Sequence, residues 1–573
     1  MAKREIKHLL TDESEGLFGM PWDVYPRPSL KRDSYFNLNG KWSFSAPSLG
    51  IQDAEITVPF PPESVISGIN KCMGKKPRFL YKKCFSLPAG FVKDRVLLHF
   101  GAVDQIARIT LNGVYLGSHK GGYLPFSFDI TDKLEQENLL EVEVTDELDN
   151  KVLPYGKQRR RRGGMWYTPI SGIWQTVWIE SVCDNYIKGI KVNTGDDFAI
   201  IQVTGATKSD VDGEITLCFD GEEKAFPLVS GKAEIKLDAP RKWSPENPYL
   251  YEFTVFAGED KVQSYFALRT LEIKEADGFS RLCLNGEPYF FHALLDQGYY
   301  SDGIYTPSSP ALYEKDIISM KELGFNTLRK HIKIEPEIFY YYCDKLGMVV
   351  FQDMVNNGSY SFLRDTALPT LFMKYFPDMI LNPKKKVRKA FESAMVETVN
   401  HLYNHPCICY WTVFNEGWGQ FRSSKMYKKI KELDCTRFVD TTSGWFKTSR
   451  SDVCSEHVYF KPVKLKKSKK PIVLSEFGGY SYKLMEHCAN TEKTYGYKKF
   501  EDAEQFEAAL ESLYLNEVVP AVQNGLCASV YTQLSDVEDE TNGLVTYDRR
   551  VIKVSKDKMN YIAEMLKIKN RAE

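Results

Sequence analysis

The chain of 573 residues lacks the apolar segments that take a protein into or across a membrane. Its N-terminus, MAKREIKHLLTDESEG, contains no apolar core of the kind found in signal peptides. No run of about 18 apolar residues occurs, as a transmembrane helix would need. These absences predict a cytoplasmic protein that has no membrane partner.

Cysteine pairs with metal-binding spacing are also absent, and so is a strong net charge. The 12 cysteines are scattered, and none forms a CxxC pair or a Cys/His pattern typical of zinc sites. We therefore predict reduced thiols, no metal site and no cofactor. A formal net charge of −1 produces no overall field that would attract nucleic acid, so we expect no nucleic-acid partner.

Aromatic residues are plentiful: they make up 13% of the chain, with 33 Tyr and 9 Trp. Flat aromatic faces suit sugar rings, but they also fill the cores of β-sandwiches, and composition alone favours cores. At about 150 residues per domain, a chain of this length predicts three or four domains, since a barrel can be larger.

Short alternating segments up to about residue 273 predict β-sandwiches. Segments such as KWSFS, ARITLNGVYLG and LLEVEVTD are separated by turn signals such as Asn112-Gly113. A second run begins with IKVNTG near residue 185 and ends with YEFTVF, a length typical of one immunoglobulin-like sandwich. We place domain boundaries near residues 183 and 274.

Strands alternate with helices in the rest of the chain. The predicted strands are YFFHALL, FNTLR, MVVFQD, CICYWTVFNE, RFVDTT, CSEHVY, PIVLSE and CASVYTQ. Helices are predicted at 311–324, from Pro336 to Gly347, and near 386–403, 422–433, 502–523 and 555–567. Eight strands with interleaved helices predict a (β/α)8 barrel.

A run of four arginines, Arg159–Arg162, lies beside the glycine-aromatic segment GGMWYTPISGIW near the end of the first predicted domain. We interpret this run as a solvated loop, which is the usual fate of a charge cluster. The alternative is a loop that reaches over the mouth of the barrel to contact substrate or a partner subunit.

Two glutamates directly follow apolar runs and end predicted strands: Glu416 ends the fourth strand and Glu476 the seventh. Catalytic groups of such barrels lie at the C-terminal ends of the strands, and a buried carboxylate is costly unless it is paired or used. Glycoside hydrolysis needs one protonated carboxyl and one ionised carboxylate that face each other. Glycines shortly after each glutamate would keep the approach open for a sugar. The structural alternative is a pair of salt-bridged residues at the rim.

The chain resembles glycoside hydrolase family 2, the family of β-galactosidases, β-glucuronidases and β-mannosidases. FNLNGKWSFS and SGIWQTVWIE resemble its sugar-binding jelly roll, RKWSPENPYLYEFTV its immunoglobulin-like domain, and GFNTLRKH, NHPCICYWTVFNE and PIVLSEFGG its barrel. The resemblance implies a jelly roll at 1–183, an immunoglobulin-like β-sandwich at 184–273 and a catalytic (β/α)8 barrel at 274–573.

The resemblance also implies roles for individual residues. Glu416 matches the general acid/base and Glu476 the nucleophile. Asn415 matches the residue that hydrogen-bonds the sugar 2-hydroxyl. Arg329 and His331, at the end of the second strand, resemble a pair near the sugar. Further candidates for substrate contacts are Tyr459, which resembles a tyrosine beside the nucleophile, Asp296, Trp418, Trp445, Tyr531 and Gln533.

Three departures from the family pattern limit what the resemblance implies. The stretch QDMVNNGSYSF after the third strand lacks the glutamate and histidine of the magnesium site of β-galactosidases. DETNGLVTYDRR lacks the Asn-x-Lys with which β-glucuronidases hold the sugar carboxylate, and GGMWYTPISGI has no acidic residue before SGI. The resemblance to the family therefore implies the catalytic mechanism more strongly than it implies a particular sugar.

We predict a retaining exo-β-glycosidase whose two carboxyl groups lie about 5–5.5 Å apart. Its substrate would be a small glycoside or oligosaccharide, and β-galactoside is the first expectation because of family frequency. The alternatives are another sugar (a β-glucuronide, β-mannoside or pentoside), a non-catalytic carbohydrate-binding protein, and a protein whose sandwiches serve mainly assembly. A homo-oligomer is compatible with each.

Overall fold

The computed structural model describes residues 6–16, 19–207, 210–219, 221–367, 378, 384–448 and 450–568. Among them no helix is both long enough and apolar enough to span a membrane. All 12 cysteines are free thiols, as predicted.

The first domain is a β-sandwich of two antiparallel sheets. In spatial order, one sheet contains Phe36–Asn37, Val177–Val182, Arg95–Phe100 and Phe126–Asp129. The other contains Ile51–Val58, Gly40–Ala46, Arg78–Phe85, Asn138–Thr145, Ile106–Leu111 and Val114–Lys120. Apolar and polar residues alternate along the strands, and this alternation explains how the two sheets pack. Leu140, Val142 and Val144 are buried between the sheets, whereas Glu141 and Glu143 lie on the outer face. A small ladder joins Gly172–Ile173 to Val103–Asp104.

The second domain is a smaller, immunoglobulin-like sandwich, also antiparallel. Its sheets contain Ile187–Thr194, Phe198–Gly205 and Lys232–Lys236, and Glu222–Leu228, Gly213–Phe219, Tyr251–Ala257 and Asp260–Phe266. A meander of Leu271–Ala276, Phe279–Leu284 and Glu287–Pro288 leads into the barrel. The boundaries placed near residues 183 and 274 remain predictions.

The third domain is the predicted barrel of eight parallel strands, which we label β1 to β8. They span Phe291–Asp296, Thr327–Lys330, Val349–Asp353, Ile408–Asn415, Phe438–Ser443, Cys454–Val458, Ile472–Gly478 and Leu526–Thr532. Hydrogen-bonded neighbours follow the order 5-4-3-2-1-8-7-6. Within the described residues no ladder joins β5 to β6, so the barrel is nearly closed.

Helices α1 to α7 surround the barrel. They span Ala311–Glu322, Glu337–Leu346, Lys385–Leu402, Ser423–Leu433, Ala503–Leu513, Val519–Gln523 and Lys556–Leu566. A helix of four residues, Asp12–Glu15, lies near the N-terminus, and a parallel pair, Tyr480–Tyr482 with Lys498–Phe500, follows β7. The predicted ends of α2 are confirmed, because this helix starts after Pro336 and ends before Gly347. Gly347 has φ +74, and a Cβ there would lie 2.6 Å from the Pro245 carbonyl oxygen.

Candidate active site

Strands β4, β6 and β7 bring three ionisable side chains together at the barrel mouth. Glu416 directly follows β4, His457 lies on β6 and Glu476 on β7. One side-chain atom from each lies within 4.8 Å of the others, so a carboxylate oxygen of Glu416 faces one of Glu476. Glu416 has φ +51, a backbone conformation that is costly for residues other than glycine and is often found at functional sites.

Glu476 is buried and held by two hydrogen bonds. The Tyr459 hydroxyl donates to Oε2 at 2.5 Å, and Arg329 Nη1 donates to Oε1 at 3.2 Å. His457 Nδ1 lies 3.6 Å from Oε2. Burial alone would raise the pKa of Glu476, but the charges of His457 and Arg329 lower it to about 2. Glu476 is therefore ionised at neutral pH.

His457 connects Glu416 to a chain of hydroxyl groups. Its Nδ1 lies 2.9 Å from Glu416 Oε1, and its Nε2 lies 3.1 Å from Ser443 Oγ. Ser443 donates to Ser475 Oγ at 3.0 Å, which leaves the Ser443 oxygen as an acceptor for an Nε2–H proton. The sequence reasoning missed His457. A signal was available, because His457 and Tyr459 are two residues apart on one strand and share a face.

Arg329 and His331 lie at the end of β2 and share one carboxylate partner. Arg329 donates through Nε and Nη2 to both oxygens of Asp353 at 3.0 Å, and His331 Nδ1 lies 2.8 Å from Asp353 Oδ2. Arg329 Nη2 also donates to Asn415 Oδ1 at 2.9 Å. Arg329 therefore links Asn415 and Glu476, the residues that end β4 and line β7. Asp353, at the end of β3, was not predicted.

Three other predicted contact residues are engaged inside the protein. Asp296 accepts from Lys330 Nζ at 2.5 Å and from the Gly298 amide at 2.8 Å. Gln533 accepts from Gln297 at 2.8 Å, and its amide nitrogen donates to Glu540 at 2.9 Å. Tyr531 is buried, and its hydroxyl accepts from the Tyr480 amide at 3.2 Å.

The two predicted tryptophans lie on different sides of this cluster. Trp445 packs edge-on against the His457 ring at 5.5 Å, and its buried indole nitrogen bonds to no described residue. Trp418 is buried among Tyr155 and Trp166 of the first domain, with ring centroids 5.4 and 5.0 Å away.

The glycines that follow the two glutamates are needed for a different physical reason from the one predicted. A Cβ at Gly417 would lie 2.1 Å from the Phe446 ring, and one at Gly478 would lie 2.4 Å from Tyr531. The absence of a side chain at these positions therefore makes room for aromatic rings of the protein.

The loop that contains the four arginines reaches the barrel, so the expectation of a solvated loop is wrong. Arg162 forms ion pairs with Glu538 at 3.5 Å and with Asp539 at 3.3 Å, both after β8. The Tyr167 hydroxyl donates to Glu540 Oε2 at 2.5 Å, and the Tyr155 amide donates to the Asn356 carbonyl at 3.1 Å. Since the loop carries aromatic residues that pack on Trp418, desolvation holds it against the barrel mouth.

This loop and the turn after β8 add a cation and an acid to the site, Lys157 and Glu540. The neighbouring Gly156 packs against the segment after β2, since a Cβ there would lie 2.9 Å from the Ile332 carbonyl oxygen. Among the described residues the Lys157 ammonium forms no ion pair, and it lies 6.0 Å from the centroid of the Trp166 ring. Burial raises the pKa of Glu540 to about 7 against the opposing charge of Lys157, and the charge of Glu476 adds to the rise. Sequence patterns could not reveal this pair, because its members come from different domains.

An eight-stranded barrel with two opposed glutamates after β4 and in β7, preceded by two sandwiches, defines a multidomain protein of the glycosidase class. The comparisons with known families agree. Residues 70–181 match the glycosyl hydrolase 2 galactose-binding domain-like model, 187–269 the glycosyl hydrolases family 2 model, and 308–552 the TIM barrel domain of that family. The chain belongs to family 2 of the glycosyl hydrolases.

Similar proteins carry more than one sugar name. A β-galactosidase of Thermoanaerobacter pseudethanolicus is 27% identical over 62% of this chain and 46% of its own length. A β-glucuronidase of Chlorocebus aethiops is 25% identical over 73% of this chain and 70% of its own length. The chain thus spans about half the length of the first of these relatives.

Solved structures share the whole architecture. The β-D-glucuronidase of Dictyoglomus thermophilum superposes with a TM-score of 0.72 at 18% identity, over 95% of this chain and 99% of that one. A β-galacturonidase of Eisenbergiella tayi gives a TM-score of 0.68 at 19% identity, over 97% of this chain and 99% of that one. At these identities the likeness concerns the fold.

Proposed function

We propose that this protein is an exo-acting β-glycosidase that hydrolyses its substrate by double displacement with retention of anomeric configuration. Glu476 is the nucleophile and Glu416 the general acid/base. The observation that carries this proposal is the approach of their carboxylate oxygens to within 4.8 Å. Retaining enzymes hold the two carboxyls about 5–5.5 Å apart, whereas inverting enzymes need about 6.5–9.5 Å to admit a water.

The electrostatics support unequal roles for the two glutamates. A nucleophile must be ionised, and a pKa of about 2 keeps Glu476 so at any physiological pH. Glu416 instead faces His457 Nδ1 at 2.9 Å. This contact orients the Glu416 carboxyl. In the proposed mechanism Glu416 gives a proton to the leaving oxygen and takes one from water once Glu476 is glycosylated.

Arg329, Tyr459 and Asn415 support the reacting pair. Arg329 and Tyr459 fix the two oxygens of Glu476, so that little reorganisation is needed when its charge passes to the anomeric carbon. Asn415, itself oriented by Arg329, is placed to hydrogen-bond the 2-hydroxyl in the transition state. We assign His457 as a positioning residue for Glu416.

We propose a small neutral β-hexoside or its oligosaccharide as substrate, with β-galactoside first. Glu540 is a hydrogen-bond acceptor close to Glu476, and Lys157 is a donor without an ion-pair partner in the described chain. Such a pair suits adjacent hydroxyls. A uronate at Glu540 would place two carboxyl groups together, which is costly when both are ionised. The unpaired cation of Lys157 favours a second candidate, a β-glycuronide.

A panel of nitrophenyl β-glycosides tests these assignments. We expect the highest kcat/KM on a neutral hexoside, and a glucuronide or galacturonide preferred over all neutral sugars would overturn the sugar assignment. Turnover of none of them would favour the non-catalytic alternative. Cytoplasmic location and a homo-oligomer remain proposals, and size-exclusion chromatography with light scattering tests the latter.

A further inference from the structure

A second cavity, of about 1330 Å³, lies beside the barrel mouth where several segments of the chain meet. The N-terminal segment at 6–8 lines one side, and jelly-roll residues of 63–72 line another. The arginine loop, with Arg160, Arg161 and Arg162, and the turn containing Glu538 also line it. Ligand pockets commonly measure about 300–1,000 Å³, so this cavity is large enough for more than one sugar unit.

Positive charge dominates the wall of this cavity. Its basic residues are Lys7, His8, Lys71, Arg160, Arg161 and Arg162. The acidic residues among those that line it are Glu63 and Glu538. Burial raises the pKa of Glu63 well above its usual range, and Glu538 faces Arg162 at 3.5 Å. The opposing negative charge is therefore small.

Several of these cations have no acidic partner in the described chain. Arg160 donates through Nε to Asp149 at 3.3 Å, and its buried Nη2 has no hydrogen-bond partner among the described residues. Arg161 and Lys71 are exposed, and their side chains form no ion pair among the described residues. The exposed Arg161 and Lys71 therefore present charges with which an oxyanion in the cavity would pair.

The cavity is separate from the proposed catalytic pocket, although one turn borders both. The Val537 and Glu540 backbones pair at 2.9 Å in both directions, which places Glu538 and Glu540 in one tight turn. Glu538 faces the cavity, and the charge of Glu540 acts on the site of Glu476. A ligand in the cavity need not touch the reacting carboxylates.

We propose that this cavity binds an acidic oligosaccharide of two or more units, held through carboxylate or sulfate groups by Arg160 and Arg161. Guanidinium groups bind such oxyanions in a bidentate fashion. The hydroxyl and amide groups of Ser64, Asn70 and Tyr547 suit the sugar hydroxyls. Binding in this cavity does not require turnover. A failure of this proposal would therefore leave the proposed catalytic function intact, and the reverse also holds.

Isothermal titration calorimetry on the full chain tests the proposal with tetragalacturonate, inorganic phosphate and the neutral cellotetraose as probes. Tetragalacturonate is expected to bind, at least tenfold more tightly than either other probe, and more weakly as salt rises from 50 to 200 mM. Arg160→Gln/Arg161→Gln should weaken it at least tenfold. The matched control Arg78→Gln/Arg108→Gln removes two charges from exposed positions of the same jelly roll and should change the affinity by less than twofold.

Failure of tetragalacturonate to bind, or equal binding by the wild type and the Arg160/Arg161 variant, would overturn the proposal. Phosphate or cellotetraose bound as tightly as tetragalacturonate would also overturn it, since the site would then not select an acidic oligosaccharide. If the double variant melts early, the exposed Lys71→Gln replaces it. A loss of about threefold in affinity is then expected, and an unchanged affinity would contradict the proposal.

Discussion

Replacing His457 by Asn should change the pH dependence of hydrolysis as well as its rate. His457 lies 3.6 Å from Glu476 Oε2 and is the first of the charges that lower the pKa of that carboxyl to about 2. An opposite charge at such a distance lowers a carboxyl pKa by about 1–3 units. In His457→Asn this charge is gone, and only the contacts of Glu476 with Arg329 and Tyr459 remain. The pKa of Glu476 should then rise to about 3–5.

The sign of the effect follows from the reaction. The nucleophile works only when ionised, so activity is lost as the pH falls through the pKa of Glu476. The acid limb of kcat/KM, which for the wild type lies below the range where most proteins stay folded, should move up into an accessible range near pH 4. The lost contact should lower kcat/KM at its optimum by about 10–100-fold, because Glu416 is then held less well in its catalytic position.

Initial rates between pH 3.5 and 8, with the fold checked at each pH by circular dichroism, measure both effects. His119→Asn, on a strand of the jelly roll, is the matched control and should leave the profile unchanged. An acid limb that stays in place in His457→Asn, together with a kcat/KM within twofold of the wild type, would refute the positioning role.

Further substitutions test the other assigned residues. Glu476→Gln should abolish turnover in steady-state assays while circular dichroism shows an intact fold, and a near-native rate would reject the nucleophile. Glu416→Ala should retain glycosylation by substrates with good leaving groups, and added azide should raise its turnover and yield a β-glycosyl azide; no azide effect would speak against an acid/base. Lys157→Met and Glu540→Gln should each raise KM for the best neutral glycoside by about tenfold, with Lys151→Met as control, because each removes one bond to a charged group, worth about 1.5–3 kcal/mol.

The barrel and its two glutamates could be predicted from sequence because local signals agree. Glu416 and Glu476 directly follow apolar runs of sequence, so the rule that places function at the C-terminal strand ends applies without knowledge of distant contacts. The ends of α2 at Pro336 and Gly347 are local in the same way.

The parts of the site that were missed depend on long-range contacts. Lys157 belongs to the first domain, and its charge acts on Glu540 only because aromatic residues of its loop pack on Trp418. A charge run such as Arg159–Arg162 is usually solvated, and composition does not show that Arg162 pairs with Glu538 and Asp539. Asp296 and Gln533 illustrate the converse: both lie at the C-terminal ends of strands, as a site residue would, yet both are engaged by protein groups such as Lys330 and Gln297.

The central claim is that Glu476 forms a covalent bond to the sugar. The most direct measurement uses the 2-deoxy-2-fluoro analogue, with a good leaving group, of whichever glycoside the nitrophenyl panel prefers. The protein is digested after inactivation, and the labelled peptide is sequenced by mass spectrometry. The account predicts one added fluoro-sugar per chain, attached to Glu476 in PIVLSEFGG. A label on Glu416, or continued turnover by direct displacement with an inverted product and no adduct, would contradict it.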